Sequence, residues 1–173
     1  NSKEIGVHVM GNDVTLRGNV VRDSQQQGVF FFKTQRGRIE GNTVHNNVLV
    51  NKSRTLADVH PAVGSFQASA LEVLDNTIYQ NYGDGVGVTQ AQDHLIRGNT
   101  LYDNVNSNII VGNADKTVID ANFVYCTAQS GFENPTSGER PTGIALGEPE
   151  ATPLSAGWVV SNNIVTRCHI NLL

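Results

Sequence analysis

Side chains able to do acid–base chemistry crowd two long polar stretches of this 173-residue chain and a short turn between them. The first stretch, VLVNKSRTLADVHP (48–61), carries Lys52, Arg54, Asp58 and His60. The second, AQSGFENPTSGERPT (128–142), carries Glu133, Glu139 and Arg140, while Tyr82 and Asp84 lie on the turn. Removing a proton beside a carboxylate needs a base, a cation to neutralise that carboxylate and a donor for the leaving oxygen. His60 or Lys52 suits the first role, Arg54 or Arg140 the second, and Tyr82 the third. Hydrolysis of an acetal instead needs two carboxylates flanking the bond, and Asp84 and Glu133 are the available pair. His60, Asp84 and Glu133 are therefore the catalytic candidates, and Lys52, Arg54, Tyr82 and Arg140 the substrate-binding ones. Polar loops of this kind equally carry solvated charges with no chemistry at all.

Metal chemistry has less support. His8, His45, His60, His94 and His169 never occur at HxH or HxxxH spacing, and Met10 is the single methionine. No cofactor is expected; β-structured loops do bind calcium, but no acidic cluster argues for it here. Two cysteines, Cys126 and Cys168, cannot close a zinc site or a disulfide framework, and fit either one disulfide or two buried thiols.

Composition narrows the partners. Charged residues are 16% of the chain and the net charge is −4, with no basic run. That balance argues against nucleic acid or an anionic membrane surface, and no apolar window is long enough to span a bilayer. The chain opens at Asn1 with no secretory signal, as expected if a leader has been cut away.

The elements that would position these residues come from a repeat. An apolar-x-x-Asn-x-apolar pattern recurs as LRGNVV (16–21), IEGNTV (39–44), VLDNTI (73–78), IRGNTL (96–101), IDANFV (119–124) and VSNNIV (160–165). Its asparagines, Asn19, Asn42, Asn76, Asn99, Asn122 and Asn163, are spaced 23, 34, 23, 23 and 41 residues apart. The two long spacings read as one period plus an insertion. Apolar residues three before and two after each Asn suit short strands with one buried face. A further strand precedes each Asn by about 12 residues: VHVM (7–10), VFFF (29–32), VGVT (86–89), IIVG (109–112) and IALG (144–147), with AVGSFQAS (62–69) aligning gaplessly on GVGVTQAQ (85–92). No helical period lies between them, so each repeat predicts one turn of a coil stacked on the last as parallel sheet, about 4.8 Å away. A buried Asn at one corner of every turn could then bond its counterpart on the next turn and the turn backbone.

These motifs resemble the right-handed parallel β-helix superfamily, the pectate-lyase-like repeats, from about Gly6 to Ile170. The resemblance implies a single all-β domain over 1–173, a right-handed single-stranded parallel β-helix of about six rungs with an Asn ladder. Such folds host lyases, glycoside hydrolases, mannuronan epimerases, tailspikes and adhesins, so it implies a module acting on or binding an extracellular polysaccharide. A uronate lyase or a glycoside hydrolase is the expected enzyme type; a non-catalytic adhesion or tailspike-like shaft is the alternative. The expected partner is a polysaccharide or glycan, with no nucleic acid and no membrane, in an extracellular, cell-surface or periplasmic setting. The Asp-Pro-His-Asp of the epimerases is not matched by Asp58-Val59-His60-Pro61, and the Arg-x-Pro-x-x-Arg of pectate lyases is missing. Neither end resembles a cap, which suggests a segment of a longer β-helix or ends covered by missing rungs or an oligomer.

On such a coil, the insertions at 48–61 and 128–142 leave from one corner and 148–157 from another. The first two are expected to wall a groove floored by the outward column Gly64, Gly87 and Ile110. Three further columns follow. Tyr79, Tyr102 and Tyr125 should stack, Arg17–Glu40 and Arg97–Asp120 should pair, and His94 should point into the core in place of an apolar residue.

Overall fold

The computed structural model describes residues 4–55, 60–128, 131–147 and 155–173. They form three parallel sheets of six strands each, and the described residues include no α-helix. One sheet holds the strands that precede the Asn repeats: Val7–Val9, Val29–Phe32, Val63–Phe66, Val86–Gln92, Ser107–Asp115 and Thr142–Leu146. We call it the front sheet. The two others flank the asparagines, one just before them (Arg38–Glu40, Glu72–Leu74, Leu95–Arg97 and equivalents) and one just after (Thr43–His45, Thr77–Tyr79, Thr100–Tyr102 and equivalents). The chain visits the sheets in turn six times, so each turn is one rung of a parallel β-helix. The expected register holds, with Ile39 on Val73, Val73 on Ile96 and Ile96 on Ile119.

Each corner between the flanking sheets is two residues wide. Gly18, Gly41, Asp75, Gly98, Ala121 and Asn162 all take positive φ, and each is followed by a ladder asparagine. The left-handed residue reverses the strand, and the Asn amide then fills the corner. Its Nδ2 donates to the counterpart Oδ1 one rung on: Asn19 to Asn42 at 3.0 Å, Asn42 to Asn76 at 3.1 Å, then on through Asn99, Asn122 and Asn163. That Oδ1 also accepts the backbone N–H of the Asn below, and Nδ2 donates to main-chain carbonyls such as Val73 O. Every polar atom of a central corner amide is satisfied, which lets Asn76 and Asn99 sit 1% exposed.

A second asparagine column, absent from the sequence reading, lines the corner before the front sheet. Asn47 donates to Asn81, Asn81 to Asn104 and Asn104 to Asn108. Its amides pack where a Cβ on Gly28 or Gly85 would intrude, within 2.9 Å of Asn47 Nδ2 and 2.8 Å of Asn104 Nδ2. Asn108 then meets a disulfide between Cys126 and Cys168, which fixes the cysteine state that sequence alone left open.

Between the sheets lies one dry core of Phe31, Ile39, Val44, Val73, Ile78, Ile96, Leu101, Ile109, Ile119 and Ile144. His94 sits within it, as expected. Its Nδ1–H donates to Gln92 O at 2.8 Å, so Nε2 accepts the Ser65 hydroxyl at 2.7 Å, and burial holds the ring's pKa below its ordinary value. The tyrosine column stacks with centroids 4.8 and 4.7 Å apart, and His45 extends it at 5.0 Å. The surface pairs Arg17–Glu40 and Arg97–Asp120 form at 2.8 and 2.9 Å.

Candidate functional site

The first insertion folds back over the first rung. Val48, Leu49 and Val50 donate main-chain hydrogen bonds to Gln26, Ser24 and Gln25, and Leu49–Asn51 make a single 3-10 turn. Buried Asn51 donates to Tyr82 O at 2.7 Å, which ties this turn to the third rung. Asp58 lies outside the described residues, as do 148–154 of the third insertion.

The two insertions touch instead of standing apart as walls. Arg54 Nη1 donates to the main-chain carbonyl of Glu133 at 2.7 Å, and the Tyr82 ring packs at 5.4 Å against Phe132. Phe132, 9% exposed, is the apolar residue that draws the second insertion down onto the first. A small recess of about 150 Å³ results, lined by Arg54, Phe132, Glu139, Arg140 and His169 among others. Arg140 donates to Arg167 O, and Glu139 accepts Ser137 Oγ and lies 3.4 Å from His169.

Asp84 faces inward. Its Oδ1 accepts the Ser107 N–H at 3.0 Å, the side chain is 7% exposed, and burial pushes its carboxyl up to about 7. The Ser107 bond pulls the other way but is outweighed by the lost hydration. Lys52 is exposed and lines neither this recess nor the cleft described next.

His60 stands elsewhere, over the front sheet. The cleft there measures about 450 Å³ and is lined mainly by apolar surface from Ile5, Phe30, Pro61, Phe66, Gly64 and Gly87, with Gln26, Gln27, His60, Ser65 and Thr89. Its glycine column is not the bare floor expected from sequence. Pro61 lies on it, so that a Cβ at Gly87 would come within 2.6 Å of the Pro61 ring. The aromatic surface of the cleft comes from Phe30, one rung below Gly64, and from Phe66 on the rung of Gly64 itself, beside His8 and Phe32. Gln27, 4% exposed, has an Oε1 with no hydrogen-bond partner in the wall of this cleft.

The candidates are thus distributed over three environments. His60 is in the aromatic cleft, Asp84 in the core, and Arg54 and Arg140 at the second recess, with Glu133 and Tyr82 beside it. Phe30, Phe66 and Gln27 were missed; Phe30 was in reach, because it occupies the column of Gly64 and Gly87. Among the described residues no three of His, Cys, Asp or Glu are placed to hold a metal ion. Nor is any described helix long and apolar enough to cross a membrane.

Three parallel sheets closed by asparagine corners define a parallel β-helix protein. The chain belongs to the right-handed beta helix family, whose sequence pattern matches residues 1–124. The enzymatically active domain of tailspike protein 2 from bacteriophage CBA120 superposes with a TM-score of 0.66 at 16% identity, over 98% of this chain and 27% of that one. The periplasmic alginate epimerase AlgG gives 0.61 at 17% identity, over 94% of this chain and 43% of that one. The A-module of Azotobacter vinelandii mannuronan C-5 epimerase AlgE4 gives 0.58 at 16% identity, over 99% and 53%. The chain thus spans about half or less of the length of each of these proteins. No curated protein matches it.

Proposed function

We propose that this chain is a carbohydrate-acting β-helix module that takes a polysaccharide into the cleft at His60. The observation that carries this reading is the lining: the half-buried rings of Phe30 and Phe66 in a mainly apolar cleft that also holds the polar side chains of His60, Ser65 and Thr89. Sugar rings offer apolar C–H faces to aromatics and hydroxyls to polar side chains, so both parts of the lining are met by one ligand class. The neighbouring folds, two alginate epimerases and the active domain of a tailspike, support the same class. The proposed setting is extracellular, cell-surface or periplasmic, which the disulfide supports because such bonds persist in oxidising compartments.

Of the two reactions, elimination is the one for which the cleft supplies a group, the base, while Arg54 and Arg140 line the other recess. His60 is the titratable side chain of its lining and would act as the base. Hydrolysis would require Asp84 and Glu133 to flank one bond, and Asp84 is engaged with Ser107 in the interior. The experiment is incubation with acidic and neutral polysaccharides, following reducing ends and the ultraviolet absorbance of unsaturated uronates, beside His60→Ala. Absorbance that appears with the wild type and vanishes in the variant is the expected result. New reducing ends without absorbance would replace elimination by hydrolysis, and binding without cleavage would make this a recognition shaft. The continuous Tyr and Asn columns favour that second reading, because a stiff rod is what they build.

A further inference from the structure

Beyond the C-terminal ends of two front strands, and beside the last residues of the longer strand Val86–Gln92, lies another recess, of about 360 Å³, that no candidate residue touches. Its volume falls within the roughly 300–1,000 Å³ usual for small-molecule sites. Lys33, Gln67 and Gln90 occupy one outward column on successive rungs, each with a left-handed backbone (φ 53, 53 and 48) that turns the side chain across the sheet edge. The Gln67 amide donates to Gln90 Oε1 at 3.0 Å, which pairs two exposed side chains. Lys33 is the charged residue of the lining; its Nζ lies 5.0 Å over the Phe32 ring, and the nearby Arg36 is paired with Asp13.

The recess adjoins the aromatic cleft through chain neighbours: Phe66 and Thr89 line the cleft, and Gln67 and Gln90 the recess. A single extended ligand crossing the front strands would enter both. We propose that the recess is a second sugar subsite, selective for a unit bearing an anionic substituent, whose charge pairs with Lys33 while its hydroxyls meet Gln67 and Gln90. This rests on the glycan reading of the cleft. Carboxylate and sulfate share the required chemistry.

The test measures affinity of the intact protein for three oligosaccharides: a galacturonate hexamer, its full methyl ester, and a sulfated galactan fragment. The proteins are wild type, Lys33→Gln, Gln90→Glu and Phe66→Ala. Gln90→Glu keeps the acceptor for Gln67 and places a negative charge in the recess, so a folded variant is assured of a reading by thermal melting. Lys33→Gln and Gln90→Glu should each weaken a charged oligosaccharide by about fivefold, the worth of an exposed ion pair, and leave the ester unchanged. Whichever of the uronate and the sulfated ligand shows the loss identifies the substituent. Binding that falls in Phe66→Ala but is indifferent to position 33 and position 90 would overturn this subsite and leave the cleft intact. Absence of binding by all three ligands would overturn the glycan reading and the subsite with it.

Discussion

Two aromatic clusters on this solenoid look alike in sequence and differ in what they offer. On the sheet after the asparagines, His45, Tyr79, Tyr102 and Tyr125 stack in register at 4.7–5.0 Å, with interplanar angles of 3–12°. Each inner ring is covered on both faces by its neighbours, so the column has edges to show and little face. On the front sheet, Phe30, Phe32 and Phe66 stand 6.0–6.1 Å apart, and the column of Phe30 is broken by Gly64 and Gly87. Where the column breaks, the half-buried rings of Phe30 and Phe66 line a cleft. An unbroken column spends its aromatic surface on the scaffold; a broken one leaves that surface for a ligand. The corner amides, by contrast, are fully bonded.

The sharpest way to break the comparison is to damage the regular side. Asn99→Ala removes acceptors for Asn76 N and Nδ2 and donors to Val73 O and Asn122, all in a buried corner. It should cost about 3–5 kcal/mol, judged from about 1–3 kcal/mol for each buried group left unpaired, and urea unfolding will show it. Next comes the disulfide, which closes a separation of 42 residues; reduction, or Cys126→Ser with Cys168→Ser, should cost about 2–4 kcal/mol, read as a fall in Tm.

Asp84 gives a pH signature of intermediate size. Its carboxyl titrates about 7 in the folded chain against an ordinary 3.8, so between those values the folded state holds a proton that the unfolded state has released. This group's contribution to stability is therefore full below about pH 4 and is lost as pH rises through about 7. Asp84→Asn keeps an Oδ1 for Ser107, and should be more stable than wild type at pH 8 and similar to it at pH 4. Urea midpoints at the two pH values decide; a wild-type advantage at pH 8 would mean that Asp84 works as an anion.

Two smaller effects set the aromatic clusters against each other. Phe66→Ala should weaken oligosaccharide binding by about tenfold, the scale of one aromatic contact, with little change in melting. Tyr102→Ala should do the reverse, losing about 1–2 kcal/mol of stability through two ring contacts and leaving affinity alone. Equal effects of both on binding would erase the distinction. Arg17→Ala, which opens the surface pair with Glu40, should stay within about 1 kcal/mol.

The scaffold was legible because its stabilising groups repeat at a fixed spacing. Asn19 to Asn163 announce a ladder, and the apolar residues around them are buried throughout the central rungs. The second ladder escaped notice because its column changes type, starting at Ser24, running through Asn47, Asn81 and Asn104, and ending on Asn108 of the next strand. The sites were less legible still. Nothing in the spacing of Arg54 and Phe132 says that one insertion will bond and pack against the other. Asp84 reads as an exposed turn residue until the register lays it under Ser107 and removes its water. Such facts come from contacts between distant segments, and a repeat constrains only the segments that repeat.

The corner amides also give the rod a direction. From Asn19 to Asn163 every Nδ2 points toward the next Oδ1, so the amide dipoles run nose to tail through six rungs without a reversal. Dipoles in series polarise one another, and a rung spliced in upside down would set donor against donor at that corner. Stacking of this chain is consequently vectorial. One rung can be exchanged for another only if it carries the asparagine and faces the same way, and the molecule is in that sense written to be read along a single axis.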